Sequence, residues 1–117
     1  KVKIETHYSR ACKGGTGFAK AAGNYAASLH PANLAKQEGF DQLIWTDAET
    51  HEYIEEAGTM NVMFVIDGVL VTPPSSETIL DSITRKSVIT LANDMDIPAV
   101  ERTITVKEVV ESLKNGK

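Results

Sequence analysis

An Asp-Gly pair, Asp67-Gly68, stands between two runs rich in strand-forming residues, Asn61-Val62-Met63-Phe64-Val65-Ile66 and Val69-Leu70-Val71-Thr72. A tight hairpin turn asks for positive φ at both central positions. Glycine adopts that freely and aspartate tolerates it, so the pair predicts an antiparallel hairpin. Three further stretches read as helix. Residues 25–38 hold Ala26, Ala27, Leu29, Leu34 and Ala35, with Gly39 as a stop and Pro31 suited to a first helical turn. Ile83, Val88, Leu91, Ala92 and Met95 mark one apolar face of a helix over about 83–95. Thr105-Val106-Lys107-Glu108 fits a capping box opening a last helix, with Val109, Val110 and Leu113 turned inward.

Extended segments fill the remainder. Val2, Ile4, Thr6 and Tyr8 alternate with polar residues, the period of a half-buried strand over 2–8. Gln42–Thr46 is a short apolar strand, residues 52–56 resume extended structure, and residues 100–104 give a last strand. Pro73-Pro74-Ser75-Ser76 interrupts the chain. The order is strand, helix, several strands with a hairpin, helix, strand, helix: an α/β architecture, a mixed sheet with flanking helices. With 117 residues and no repeat or linker, residues 1–117 read as a single unit. The chain begins at Lys1 in what reads as a strand, so its ends are expected to be cuts in a longer protein.

Charge and cysteine usage narrow the function classes. Twelve Lys+Arg against 16 Asp+Glu leave a net −4 with no dense basic cluster, which argues against a nucleic acid or an anionic membrane as partner. No apolar run approaches the roughly 20 residues that span a bilayer. The single cysteine, Cys12, allows no internal disulfide and no zinc framework. A reducing, cytoplasmic setting follows as the simplest expectation. His7, His30 and His51 share no metal-ligand spacing and read as surface or structural residues, so no metal is expected.

The chemistry concentrates in Gly14-Gly15-Thr16-Gly17-Phe18-Ala19-Lys20-Ala21-Ala22-Gly23-Asn24. A Walker A loop fails because Ala19 precedes and Ala21 follows Lys20, and a dinucleotide fingerprint fails because Lys20 stands where its third glycine belongs. What remains is a lysine among small apolar residues. Desolvation there would lower its pKa and make its amine a nucleophile toward carbonyls. The plainer reading, a solvent-facing lysine, is the commoner fate of the residue type. Lys13, in polar surroundings, reads as a surface lysine.

The segment from Arg10 to Ala26 resembles the lysine segment of branched-chain amino-acid aminotransferases, pyridoxal-phosphate enzymes of the fold shared with D-amino-acid aminotransferases. The likeness continues through Phe40–Trp45, Tyr53–Asn61, Leu70–Pro74, Ile79–Arg85 and Val100–Thr105. It implies a piece of that fold's large C-terminal domain. It implies that Lys20 binds pyridoxal 5'-phosphate covalently and carries the proton between substrate and cofactor. Glu56 then faces the pyridine nitrogen and Tyr25 the phenolic oxygen. Leu80 packs on the ring, Ile83 and Thr84 offer amides to the phosphate, Arg10 helps near the phosphate, and Thr59 lines the substrate side. Neighbouring Glu55 reads as a strand-end carboxylate in water. Two positions depart from the family pattern: Ser82 replaces the usual glycine and Asp81 a proline or alanine, so crowding or repulsion of the phosphate is expected.

The resemblance implies transfer of the amino group of leucine, isoleucine or valine to 2-oxoglutarate by a homodimer. D-amino-acid aminotransferase and aminodeoxychorismate lyase, of the same fold, are the alternatives, with a noncatalytic interaction domain as a third. Family enzymes are longer. A phosphate-clamping arginine lies in their N-terminal domain and a Gly-Thr-Ala loop lies beyond the last helix matched here, so these residues alone are expected to turn over little or no substrate.

Overall fold

A computed structural model describes residues 1–117. In chain order the elements are β1 (Val2–Ile4), α1 (Ala22–Gln37), β2 (Gln42–Thr46), β3 (Ile54–Ala57), β4 (Met60–Asn61), β5 (Phe64–Ile66), β6 (Val69–Thr72), α2 (Ile83–Asp94), β7 (Ala99–Glu101) and α3 (Val106–Lys114). They build a four-stranded sheet, β1-β2-β3-β4, and a three-stranded sheet, β5-β6-β7. Each is mixed: β1 runs parallel to β2 and β6 to β7, while the other pairs are antiparallel. The α/β expectation holds. No helix is long and apolar enough to cross a membrane.

β2 is the hub. Its central residues are buried on both faces, as its unbroken apolar run requires. Ile44 points into a cluster with Ile54, Val71, Ile104 and Val109, which joins the two sheets to α3. Leu43 and Trp45 point the other way, against Ala35 of α1. Each such large side chain, once buried, stabilises by about 1.5–3 kcal/mol. The hairpin forms where Asp67-Gly68 predicts it, with φ of 50° and 78° at the two turn residues.

Several boundaries differ from the sequence reading, each for a local reason. The first strand stops at Ile4 because the buried Glu5 carboxylate accepts the amides of His7 and Tyr8, at 2.8 and 3.0 Å, and turns the chain. α1 begins at Ala22 and runs through Pro31, which is interior and buried, so Gly23 and Asn24 are helical. The stretch 61–66 divides into β4 and β5, which belong to different sheets. The last strand ends at Glu101, while Ile104 reaches back to β3, its carbonyl accepting the Ile54 amide at 2.8 Å. Thr105 caps α3 through the Glu108 amide at 3.0 Å, but the Glu108 carboxylate turns to Arg102 instead of closing the box. Leu113 is exposed rather than inward. On α2, Ile83 and Leu91 of the apolar stripe are exposed, as is Met95 just beyond the helix, while Ala92 is buried.

Candidate active site

The loop that carries Lys20 is wound tightly. The Gly15 amide donates to Cys12 O at 3.1 Å and the Ala19 amide to Thr16 O at 3.0 Å, two successive turns that deliver Lys20 to the start of α1. Asn24, in the first turn of that helix, locks the loop in place. Its amide nitrogen donates to Thr16 O at 2.9 Å and Ala19 O at 2.8 Å, and its oxygen accepts the Thr16 hydroxyl at 2.8 Å. Gly17 is buried against Thr78. A Cβ there would come within 2.5 Å of Ala11 Cβ and 2.8 Å of Thr78 Cα, so no larger residue fits.

Across from the loop, β3 presents a carboxylate. Glu56 is 2% exposed; its Oε1 accepts the Leu80 amide at 2.7 Å, and its Oε2 lies 3.3 Å from Arg10 Nε. Burial pushes its carboxyl above the usual range, against the pull of the Leu80 amide and the charges of Arg10 and Lys20. A bulge at Trp45/Thr46 pairs Trp45 with Glu56 and Thr46 with Ile54, which leaves Glu55 outside the register. Bulges re-aim side chains in this way. Glu56 enters a small cleft with Lys20, while Glu55 lines a separate groove beside Thr78.

That cleft gathers most of the residues singled out in the sequence. Lys20, Tyr25, Glu56, Thr59, Leu80 and Arg10 all line it. Lys20 Nζ sits 5.6 Å from the Tyr25 ring centroid, and no carboxylate pairs with it. Lys20 is exposed, the plainer of the two readings its sequence allows. Thr59 stands on the two-residue turn between β3 and β4. Leu80 is held from both sides, its amide by Glu56 and its carbonyl by Asn61 Nδ2 at 3.0 Å.

Ile83 and Thr84 do not line the cleft. They open α2 a few residues beyond Leu80, exposed, and their amides have no acceptor within the chain. Such unpaired amides at the positive end of a helix suit an anion. Ser82 is the N-cap, its Oγ accepting the Arg85 amide at 3.3 Å. Asp81 is bound by Lys86 Nζ at 2.6 Å and the Ser75 hydroxyl at 3.1 Å, contacts that hold its carboxyl below the usual range. Its charge is therefore answered locally, which tempers the repulsion expected from the sequence.

Arg10 lies in the wall of the cleft: its Nη2 donates to Gly17 O at 3.1 Å and to Thr78 O, and its Nε forms an ion pair at 3.3 Å with Glu56 Oε2. One reading needs correction. Glu55 is not in water: it is 8% exposed, and its Oε1 accepts the Thr78 hydroxyl at 2.5 Å. Lys13 is a surface lysine as read, 3.4 Å from Glu49. Asn24 enters the sequence analysis only as part of the matched segment; its role as a lock is invisible there, since the loop's turns bring its partners near.

The sequence profile of the family described as amino-transferase class IV matches residues 18–112. The chain belongs to the class IV aminotransferases. Among curated class IV relatives, a branched-chain-amino-acid aminotransferase of Bacillus subtilis (strain 168) is 46% identical over 116 residues, 99% of this chain and 32% of its own length. One from Mycobacterium tuberculosis (strain CDC 1551 / Oshkosh) is 47% identical over 111 residues, 92% of this chain and 30% of the relative. The chain thus spans about a third of the curated relatives it matches.

Solved aminotransferase structures share the fold. A branched-chain aminotransferase from Thermoproteus uzoniensis, crystallised with norvaline, superposes with TM-score 0.83 at 34% identity, over 93% of this chain and 36% of that one. A branched-chain amino acid aminotransferase from Thermobaculum terrenum, in its PLP-form, gives TM-score 0.81 at 29% identity, over 90% of this chain and 34% of that one.

Proposed function

We propose that this chain is the lysine-bearing portion of a transaminase that moves the amino group of leucine, isoleucine or valine to 2-oxoglutarate, with pyridoxal 5'-phosphate as cofactor. The observation that carries the reading is the convergence of the Lys20 amine, the buried Glu56 carboxylate and the Tyr25 ring on one cleft. Identities near 45% to branched-chain aminotransferases over the whole chain support the choice of substrate class.

The residues present fit the cofactor by their donor chemistry. Glu56 has one carboxylate oxygen spent on Leu80 and keeps a second at the Arg10 side. The amides of Ile83 and Thr84 are unpaired and would hold the phosphate. Leu80 would pack on the ring, Tyr25 would bond its phenolic oxygen, and Thr59 would line the substrate side. When bound, pyridoxal phosphate supplies an aldehyde and an electron sink.

The chain's own groups do the rest. Lys20 reaches solvent, so its amine, once deprotonated, is free to attack a carbonyl and later to accept and return a proton at Nζ. Glu56, where ionised, would favour a protonated ring nitrogen, the charges of Arg10 and Lys20 helping to keep the carboxylate against its burial. The whole enzyme is proposed to be a cytoplasmic homodimer that supplies the remaining phosphate and substrate contacts.

Transfer of the amino group from leucine to 2-oxoglutarate by the full-length protein, followed by glutamate formation, tests the reading. Activity that survives in a Lys20→Ala variant, or an unsubstituted enzyme inert toward all three amino acids, contradicts it.

A further inference from the structure

Arg10 is a buried cation whose side chain is 8% exposed, paired with a Glu56 side chain that is 3% exposed. Buried pairs of this kind are weak evidence for stability, because desolvation offsets much of the attraction. The place of Arg10 in the fold explains it better. Its Nη2 donates to Gly17 O at 3.1 Å, on the loop that ends in Lys20. The same nitrogen donates to Thr78 O, two residues before Leu80. Its Nε lies 3.3 Å from Glu56 Oε2 without hydrogen-bond geometry. Arg10 therefore touches the three segments that carry Lys20, Leu80 and Glu56. Where Gly17 meets Thr78, no side chain fits between them.

We propose that Arg10 is a positioning residue that fixes the Lys20 loop against the Thr78–Leu80 segment and orients the Glu56 carboxylate toward the lysine. The proposal deepens the transaminase reading and rests on it for its functional meaning. Arginine suits the task because Nη2 alone reaches both carbonyls while the delocalised charge at Nε stays beside the carboxylate; a lysine supplies the charge at a single point. The charged groups facing Glu56 are Arg10 and Lys20 from the loop and Glu55 from its own strand.

The test uses the full-length protein with Arg10→Lys and Arg10→Met. In cofactor-free protein, the Glu56 carboxyl is titrated by carbon-13 NMR, its resonance assigned by its loss in Glu56→Gln. Arg10→Met is expected to raise the Glu56 midpoint by about one pH unit, and Arg10→Lys to restore part of that shift. Both variants are expected to exchange the amides of residues 13–20 about tenfold faster, since neither reproduces the paired contacts to Gly17 O and Thr78 O. After pyridoxal phosphate is added, Arg10→Lys is expected to shift the pH profile of cofactor absorbance in the parent background and not in Glu56→Gln.

An unchanged Glu56 titration together with unchanged loop exchange in Arg10→Lys overturns the proposal. So does an equal absorbance shift in both backgrounds, which would mean that Arg10 does not act through Glu56. Should Arg10→Met fail to fold, Arg10→Lys decides by the same readouts. If the unsubstituted protein takes up no cofactor at Lys20, the transaminase reading fails, while the cofactor-free measurements still decide the role of Arg10.

Discussion

The amide of Leu80 donates to Glu56 Oε1 at 2.7 Å, which ties the segment leading into α2 to the strand that carries the buried carboxylate. Asn61 holds the Leu80 carbonyl from the next strand. A buried carboxylate that accepts a backbone amide has its orientation set by the fold rather than by water. The cleft between Lys20 and Glu56 is thus walled by groups whose positions follow from sheet register and one bulge.

Replacing Gly17 by alanine forces a Cβ into Ala11 and the Thr78 backbone, and overpacking of this kind costs about 1–3 kcal/mol. Gly14 offers a contrast: its φ is +74° with nothing within 4 Å of an added Cβ, so Gly14→Ala costs only the left-handed penalty of about 1–2 kcal/mol. Urea unfolding measures both. The variants separate further in cofactor uptake, which Gly17→Ala loses and Gly14→Ala retains.

Asp47 organises the turn between β2 and β3. Burial pushes its carboxyl up, but the amides of Tyr53, Thr50 and Glu52 and the Thr50 hydroxyl outweigh that and bring it down to about 2, from an ordinary 3.8. The folded value is depressed, so the stabilisation is present above the unfolded value and lost as pH falls from about 4 to about 2. Discounted for partial solvent screening, it amounts to about 1–2 kcal/mol. Asp47→Ala loses that much at pH 7 and converges on the parent below pH 2, as denaturant titrations at several pH values will show.

Glu55 has the opposite sign. Burial pushes its carboxyl up from an ordinary 4.5, against the Thr78 hydroxyl and Arg10, and the nearby charges of Asp47 and Glu56 add to the rise. The folded state favours the neutral acid. Its contribution is complete below the unfolded value and is lost as pH rises through the folded one. The stability of Glu55→Gln relative to the parent therefore improves as pH is raised from 4 through the folded midpoint and is level above it, read from the same titrations. A flat difference across that range contradicts the assignment.

The readable parts of this fold were those decided by neighbours in the chain. Asp67-Gly68 named its own turn because both residues sit at positive φ, and Thr105 named the start of α3 by its cap. Glu56, Tyr25 and Leu80 were found through a resemblance, and the chain's folding brings them to one cleft. The features outside that reach depend on partners far along the sequence. Arg10 bonds Thr78 across 68 positions, and Glu55 bonds the same residue across 23. No local pattern reveals that a single threonine segment buries both. The α2 stripe identified its helix by spacing, but spacing does not tell which of its residues the fold covers: Ala92 is buried and Ile83 is 83% exposed.

On the proposed function, the amine at position 20 is the one that takes the cofactor. The direct measurement is to mix the full-length protein with pyridoxal phosphate, reduce with borohydride, digest, and map the phosphopyridoxyl group by mass spectrometry. A single modified peptide carrying the label on Lys20 is expected, with Lys13 unmodified. A label on Lys13 alone, or one spread evenly over the surface lysines, would contradict it.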